Sequence, residues 1–128
     1  MDFIRIKEHS EETLGDGTDI REIEKLESLW GQSIPNEYRA FLIEVGYAEI
    51  FGDEIYSIYE VPDQTACLGL HWMNKDNENL KNGFIEFFSN DTDGTFYISA
   101  TSGKVYINGT ELEYADSFSS FLERILAD

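Results

Sequence analysis

The chain has 128 residues, of which 41% are hydrophobic and 14% aromatic, so it is long and apolar enough to fold as one domain with a sizeable core. Its 26 acidic and 9 basic residues give a formal net charge of −17, which disfavours nucleic acid and anionic membranes as partners and favours basic proteins or cations. The single Cys67 excludes an intrachain disulfide, and no secretory leader or membrane-spanning apolar run is visible, so we expect one cytoplasmic domain over residues 1–128.

The first part of the chain predicts a helix after a polar loop. Residues 2–8 are compatible with a short edge strand or with the start of a helix, and residues 9–18 have the composition of a loop. A helix is predicted from Asp19, an N-cap with Glu22 at capping-box spacing, to Gly31. Its apolar stripe consists of Ile20, Ile23, Leu26, Leu29 and Trp30.

A second helix is predicted directly afterwards. Pro35 suits its first position, because a missing N–H does no harm there, and Gly46 ends it. The connection is so short that the two helices should pack as a hairpin. Tyr38, Phe41, Leu42 and Val45 share one face of this helix. The residues assigned to the core and the helix hairpin are Trp30, Pro35, Tyr38, Phe41 and Leu42.

The remainder predicts mostly strands. Residues 47–51 and 54–61 form two strands around a Gly52-Asp53 turn, and residues 63–80 fit a helix followed by an Asn-rich loop. Further strands are predicted at 84–88, 95–99, 104–107 and 110–114, with Asn108-Gly109 as a two-residue hairpin turn.

The chain ends with a predicted helix that Asp116 caps. Its buried stripe consists of Phe118, Phe121, Leu122, Ile125 and Leu126. The element order predicts an α+β fold, in which an N-terminal helix pair and a C-terminal helix flank a central, mostly antiparallel β-sheet.

Catalytic chemistry finds little support in these residues. Cys67 and His71 lie four residues apart and would share a helix face, which suits a nucleophile and its base. A free cysteine is more often a buried core residue, so a hydrolase built on this pair remains an alternative hypothesis. Carboxylate pairs are expected by chance in so acidic a chain, and we predict no catalytic residue and no cofactor.

One turn has a partial resemblance to a calcium-binding loop. Asp91, Asp93 and Gly94 have suitable spacing, but Ser89 and Ala100 would occupy the first and closing ligand positions, where acidic residues are needed. Asn, Asp and Gly are also the residues that turns prefer. We therefore predict a polar hairpin turn and no metal site.

Acidic residues alternate with aromatic ones after the second helix, which suits a protein interface with aromatic anchors and steering charges. Strand alternation leaves open whether these aromatics face a partner or the core. The predicted partner-binding residues are Asp53, Glu54, Tyr56, Tyr59, Glu60 and Asp63, with Asp91 and Asp93 as a second patch.

Residues 23–42 contain an acidic amphipathic helix followed by four short motifs in a fixed order. The helix carries Glu24 and Glu27, and the motifs are Gly31, Ile34-Pro35, Glu37-Tyr38 and Phe41-Leu42. This order resembles the opening of the Smi/Knr family of the SUKH superfamily. The family's usual Asn-Gly-Gly is here Val45-Gly46-Tyr47, which keeps the helix stop and changes the side chains of the turn.

Later segments are similar to the same family. They are Phe84–Phe87, Gly94–Ile98, Gly103–Tyr106 and the closing helix from Asp116 to Leu122, so the resemblance covers about residues 19–126. It implies a central sheet flanked by helices. It also implies a non-enzymatic role, because many bacterial members are immunity proteins that neutralise a cognate toxin, often a nuclease, and fungal relatives act as interaction proteins in cell-wall regulation.

Charge and resemblance together predict an immunity protein that binds a basic toxin domain stoichiometrically, as a monomer or homodimer, without binding nucleic acid or membranes. An intracellular scaffold or regulator of the same fold with no toxin partner is the main alternative. A Cys67–His71 hydrolase, or a metal-dependent one at the Asp91 turn, is the third hypothesis.

Overall fold

The computed structural model describes residues 3–9, 17–58 and 69–127. Its helices are α1 (Ile4–His9), α2 (Ile20–Trp30), α3 (Asn36–Glu44), α4 (Leu70–Met73) and α5 (Phe118–Leu126), with a short 3₁₀ helix at Leu80–Asn82. Its strands are β1 (Ala48–Ile50), β2 (Asp53–Ile55), β3 (Phe84–Asn90), β4 (Gly94–Ser99), β5 (Val105–Ile107) and β6 (Glu113–Ala115). The predicted α+β fold is confirmed.

The central sheet has the strand order β3-β4-β5-β6, and all its neighbours are antiparallel. Strands β1 and β2 form a separate antiparallel hairpin. The hairpin is joined to the outer edge of β3 by a backbone hydrogen bond just after β2, in which the Tyr56 amide donates to the Phe87 carbonyl over 2.9 Å. The two sheets therefore lie side by side, which fixes the position of β2 next to β3.

Aromatic side chains fill the space between the inner face of the sheet and the helices. Phe121 of α5 contacts Phe87 and Phe96, with ring centroids 4.9 and 5.4 Å apart. Tyr38 of α3 stacks near Phe118 at 5.2 Å. All five side chains are buried, so α3 and α5 cover one face of the sheet.

A β-bulge in β3 accounts for two consecutive buried aromatics. Glu86 pairs with Tyr97 and Phe88 pairs with Phe96, which leaves Phe87 as the extra residue. Phe87 and Phe88 are both buried on the inner side as a result. The bulge thus adds an aromatic to the core while it keeps Glu86 on the opposite face.

The predicted caps of α2 are confirmed. The Asp19 carboxylate accepts a hydrogen bond from the Arg21 amide at 2.9 Å, and Gly31 adopts φ 68° at the C-terminus. The predicted buried stripe is only partly correct, since Ile20 and Leu29 are exposed. Both residues lie at the edge of the stripe, where the helix surface turns towards solvent.

The predicted starts of α3 and α5 are each displaced by one residue. Pro35 has ψ 142° and precedes the first turn of α3. Ser117, and not Asp116, caps α5, because its hydroxyl accepts from the Ser120 amide at 3.1 Å. The Ser119 amide at this helix start donates to the carboxylate of Glu37 at 3.0 Å, so a glutamate on α3 fixes α5.

The predicted two-residue turn at Asn108-Gly109 is wrong. Residues 108–112 form a five-residue connection before β6 begins at Glu113. The Asn108 side chain accepts from the Thr95 amide at 3.1 Å and donates to the Asp93 carbonyl at 3.0 Å. Asn108 is therefore bound to the neighbouring β3–β4 turn, which competes with closing a tight turn of its own.

The predictions for residues 2–8, for the β1–β2 turn and for residues 63–80 are correct in part. Residues 4–9 are helical, and the β1–β2 turn is Phe51-Gly52 and not Gly52-Asp53, since Ile50 pairs with Asp53. A four-residue helix, α4, and turns follow within the predicted 63–80 region. Residues 10–16 and 59–68 lie outside the described residues, so the predictions for them stay open there.

Candidate protein-binding site

The predicted contact residues in β2 and directly after it do not form one exposed patch. Asp53 is partly exposed at the start of the strand. Glu54 and Tyr56 are only 9% and 4% exposed, which corrects the expectation that they line a free surface. They are buried because β2 has β1 on one side and is joined to β3 on the other.

Glu54 is a carboxylate with an incomplete set of hydrogen bonds. Its Oε1 accepts from the Ser57 hydroxyl at 2.9 Å, while its buried Oε2 has no partner among the described residues. Burial raises the pKa of Glu54, and the hydrogen bonds from Ser57 act in the opposite direction. Ionisation of Glu54 is therefore less favourable in the folded protein than in water.

The second predicted patch lies in the β3–β4 turn, as expected from its composition. Asp91 is exposed, and Asp93 is partly buried. The Asn90 side chain accepts from the Asp93 amide at 2.6 Å and donates to the Asp93 carboxylate at 3.1 Å. The polar-turn interpretation is confirmed, and Asp91 keeps an exposed position at the tip for a partner.

Other predicted residues cannot be placed. Tyr59, Glu60, Asp63 and Cys67 lie outside the described residues. His71 is partly buried in α4, with its ring 6.5 Å from that of Trp30, and its buried Nδ1 has no hydrogen-bond partner in the described part of the chain. The described neighbours of His71 thus offer no orienting group for a catalytic base.

The outer face of the central sheet carries a row of tyrosines and glutamates. Strand register places Glu86, Tyr97, Tyr106 and Glu113 directly opposite one another on β3, β4, β5 and β6. Tyr56 approaches from the hairpin, and its hydroxyl donates to Glu86 Oε2 at 3.0 Å. We call Tyr56, Glu86, Tyr97 and Tyr106 the tyrosine–glutamate row.

An aromatic contact with Phe84 extends this row. The ring centroids of Phe84 and Tyr106 lie 5.5 Å apart in an edge-to-face arrangement. Phe84 pairs with Ser99, whose small side chain lets the two rings meet from strands that are not neighbours. Apart from buried Tyr56, the members of the row are partly exposed, as is Phe84. This face therefore combines aromatic area with a carboxylate near solvent.

The electrostatics of the row favour an incoming positive charge. Burial raises the pKa of Glu86, an effect that the hydrogen bond from Tyr56 opposes, and burial followed by the nearby Glu86 raises the pKa of Tyr97. Among the described residues, no basic side chain forms an ion pair with Glu86. Beyond the row, on the neighbouring strand β6, Glu113 is paired with Lys104 at 3.2 Å.

The buried side chain of Asn74 holds the edge of β3 in place beneath this row. Its Oδ1 accepts from the Glu86 amide and its Nδ2 donates to the Glu86 carbonyl, both at 2.8 Å. The same Nδ2 also donates to the Leu70 carbonyl. The Asn74 side chain thus pairs with the backbone N–H and C=O of Glu86, as a neighbouring strand would, and it fixes the backbone that carries the Glu86 side chain.

Two other kinds of site find less support. A cavity of about 330 Å³ lies between the starts of α3 and α5 and the β4–β5 turn. Helix N-termini favour anions, whereas the carboxylates of Glu37 and Asp116 in the lining of the cavity repel them. The cavity therefore favours neither an anionic nor a cationic ligand. In the described part of the chain, no three His, Cys, Asp or Glu side chains lie close enough to hold a metal ion.

Glu86, Tyr97 and Tyr106 are not among the residues that the sequence predicts as partner contacts. The signal is the alternation in Phe84–Phe87 and Thr95–Ile98, which places polar and tyrosine positions on one face. The common register of the strands then aligns them, and that register depends on pairings between strands.

Comparison with known proteins supports the resemblance in the sequence. The family model described as SMI1 / KNR4 family (SUKH-1) matches residues 17–124. A search of curated proteins finds no match. Among residues 3–9, 17–58 and 69–127, no helix is both long and apolar enough to cross a lipid bilayer.

Proposed function

We propose that this chain, which belongs to the SMI1 / KNR4 family (SUKH-1), is an immunity protein that neutralises a cognate toxin by binding it stoichiometrically in the cytoplasm. Membership of the family supports a toxin-immunity type of role at the family level. We further propose that the toxin is basic, that this chain binds it through a defined surface, and that this chain catalyses no reaction.

One observation carries the proposal beyond family membership. A chain with net charge −17 presents, on the sheet face opposite α3 and α5, a carboxylate without a basic partner among the described residues and flanked by tyrosines. Tyrosine and arginine dominate the energetics of protein interfaces. Such a face suits basic side chains of a partner, because tyrosine rings and a carboxylate can contact the same guanidinium group.

The charge also explains why a nuclease toxin is the expected partner. Nucleases hold a phosphate backbone and are therefore basic at their substrate-binding surface. An acidic protein is steered onto such a surface, which raises the rate of association and covers the site that the nucleic acid would use. Inhibition then requires neither a cofactor nor a metal ion.

The proposed contact surface combines new and predicted residues. Its centre is the tyrosine–glutamate row, and Asp53, Asp91 and Asp93 contribute negative charge around it. Tyr59, Glu60 and Asp63 remain predicted contacts from the sequence alone. Glu54 and Tyr56 take part through the residues that they support, since their own side chains are buried.

The experiment is a pull-down with the tagged full chain from lysates of its own source, washed at low and then high salt and analysed by mass spectrometry. We expect a basic toxin domain that is retained at low salt, is released at high salt and loses its toxicity on co-expression. Recovery of housekeeping proteins alone would contradict the proposal and favour a scaffold or regulator without a toxin partner. Toxin retention that is insensitive to salt would contradict its electrostatic part.

A further inference from the structure

The tip of the β1–β2 hairpin has an unusual residue in its turn. Ile50 pairs with Asp53, so Phe51 and Gly52 form a two-residue turn, and their φ angles are 51° and 90°. Turns with two positive φ angles strongly prefer Asn or Asp followed by Gly. A bulky side chain with positive φ is a genuine outlier, because its Cβ clashes with the backbone.

Burial in the hydrophobic core does not explain why position 51 is a phenylalanine. The Phe51 side chain is 61% exposed, although burial is the usual reason for an aromatic residue. Its described ring contact is with His9 at the end of α1, with ring centroids 4.7 Å apart. The Phe51 amide also donates to His9 Nε2 at 3.1 Å, and any non-proline residue would supply that amide.

From these observations we propose that Phe51 is an anchor residue that inserts into an apolar pocket on the toxin, edged by basic side chains. The inference rests on the proposed function. A strained residue persists where something outside the local backbone compensates for it, and such residues cluster at functional sites. Binding hot spots are typically aromatic residues with a polar rim, and Glu49 and Asp53 flank Phe51 in the hairpin.

One partner can cover both Phe51 and the tyrosine–glutamate row. Phe51 lies five residues before Tyr56, so their Cα atoms are separated by at most about 17 Å, the length of five residues of extended backbone. A standard interface buries about 800 Å² on each partner, which is roughly 28 Å across. The row would supply the charged contacts of such an interface, and Phe51 would supply its apolar anchor.

The first test compares Phe51→Asn with a matched control, Leu112→Asn. Leu112 is 64% exposed on the 108–112 connection and loses a similar apolar area. We expect Phe51→Asn to leave the Tm unchanged or to raise it, since Asn suits the turn, and to weaken binding of the captured toxin at least about thirtyfold, as for a hot-spot residue. Leu112→Asn should retain the native affinity. Equal affinities of the two variants, or a lowered Tm of Phe51→Asn, would overturn the proposal.

The second test can be carried out before the toxin has been identified. A photo-crosslinking phenylalanine analogue is placed at position 51, 97 or 112 of the full chain in its source cells. Crosslinks from position 51 to a basic protein whose toxicity the chain suppresses would support the anchor. Crosslinks to that toxin from position 97 alone would overturn the anchor and leave the proposed function standing. The absence of crosslinks from all three positions would count against both.

Discussion

The two faces of the central sheet are built from residues that are neighbours in the sequence, but one face is buried against the helices and the other lies near solvent. On the inner face, Phe96 of β4 contacts Phe88 and Phe121 within a buried aromatic cluster. On the outer face, the next residue, Tyr97, lies partly exposed between Glu86 and Tyr106. Strand alternation separates the two environments by a single position in the sequence.

The comparison shows how one sheet can be stable and still keep a surface for recognition. Apolar burial on the inner face stabilises the fold and leaves the outer face free to carry groups that burial disfavours. Glu86 is such a group, because its pKa is raised by burial and no basic side chain of the described residues pairs with it. A partner that places a positive charge beside Glu86 would stabilise the ionised carboxylate.

The largest expected effect comes from the neighbouring pair in β4. Phe96→Ala should lower the free energy of unfolding by about 3–5 kcal/mol, because it leaves a cavity among buried rings. Tyr97→Ala should have a clearly smaller effect, since that ring is partly exposed. Urea unfolding of both variants measures the difference. Equal losses would contradict the assignment of the two faces.

A smaller effect is expected at the edge of β3. Asn74→Ala removes the partner of the Glu86 amide and should destabilise the protein by about 1–3 kcal/mol, as is typical for a buried group left unsatisfied. Asn82→Ala is the matched control, since Asn82 is exposed. Thermal unfolding of both variants tests this, and the same Tm for both would show that Asn74 does not support the outer face.

The smallest effect is the pH dependence of stability at Glu54. Because the folded-state pKa is raised above the ordinary value, this group favours the folded state at low pH, and its contribution is lost as the pH rises through the folded pKa. The free energy of unfolding of the native protein relative to that of Glu54→Gln should therefore decrease as the pH rises from about 4, near the ordinary carboxyl pKa, towards neutrality. Denaturant unfolding across this range provides the measurement, and a constant difference would exclude a raised pKa.

Local signals in the sequence predicted much of the fold. The caps of α2 follow from Asp19 and Gly31, and the buried positions of α3 follow from Tyr38, Phe41 and Leu42, which act within their own helices. Phe41 and Leu42 are fully buried, as predicted, and replacing either with Ala should cost about 2–5 kcal/mol.

Several of the errors occur where a side chain serves a distant part of the chain. Asn108 binds the β3–β4 turn and so does not close its own hairpin. Glu54 and Tyr56 are buried because β2 lies beside β3, a neighbour that local alternation cannot identify. The tyrosine–glutamate row escaped prediction for the same reason, because it depends on the register of β3, β4 and β5 and on the approach of Tyr56 from the hairpin.

The central claim is that the toxin binds the outer face of the sheet through its negative charge. Calorimetric titration of the captured toxin with the Glu86→Gln and Glu123→Gln variants tests it most directly. Each variant removes one negative charge. Glu123 is an exposed residue of α5, which packs against the inner face of the sheet, so it serves as the control. We predict that Glu86→Gln weakens binding at least about tenfold, the strength of a charge-assisted hydrogen bond, whereas Glu123→Gln retains the native Kd. Equal affinities of the two variants would contradict the account.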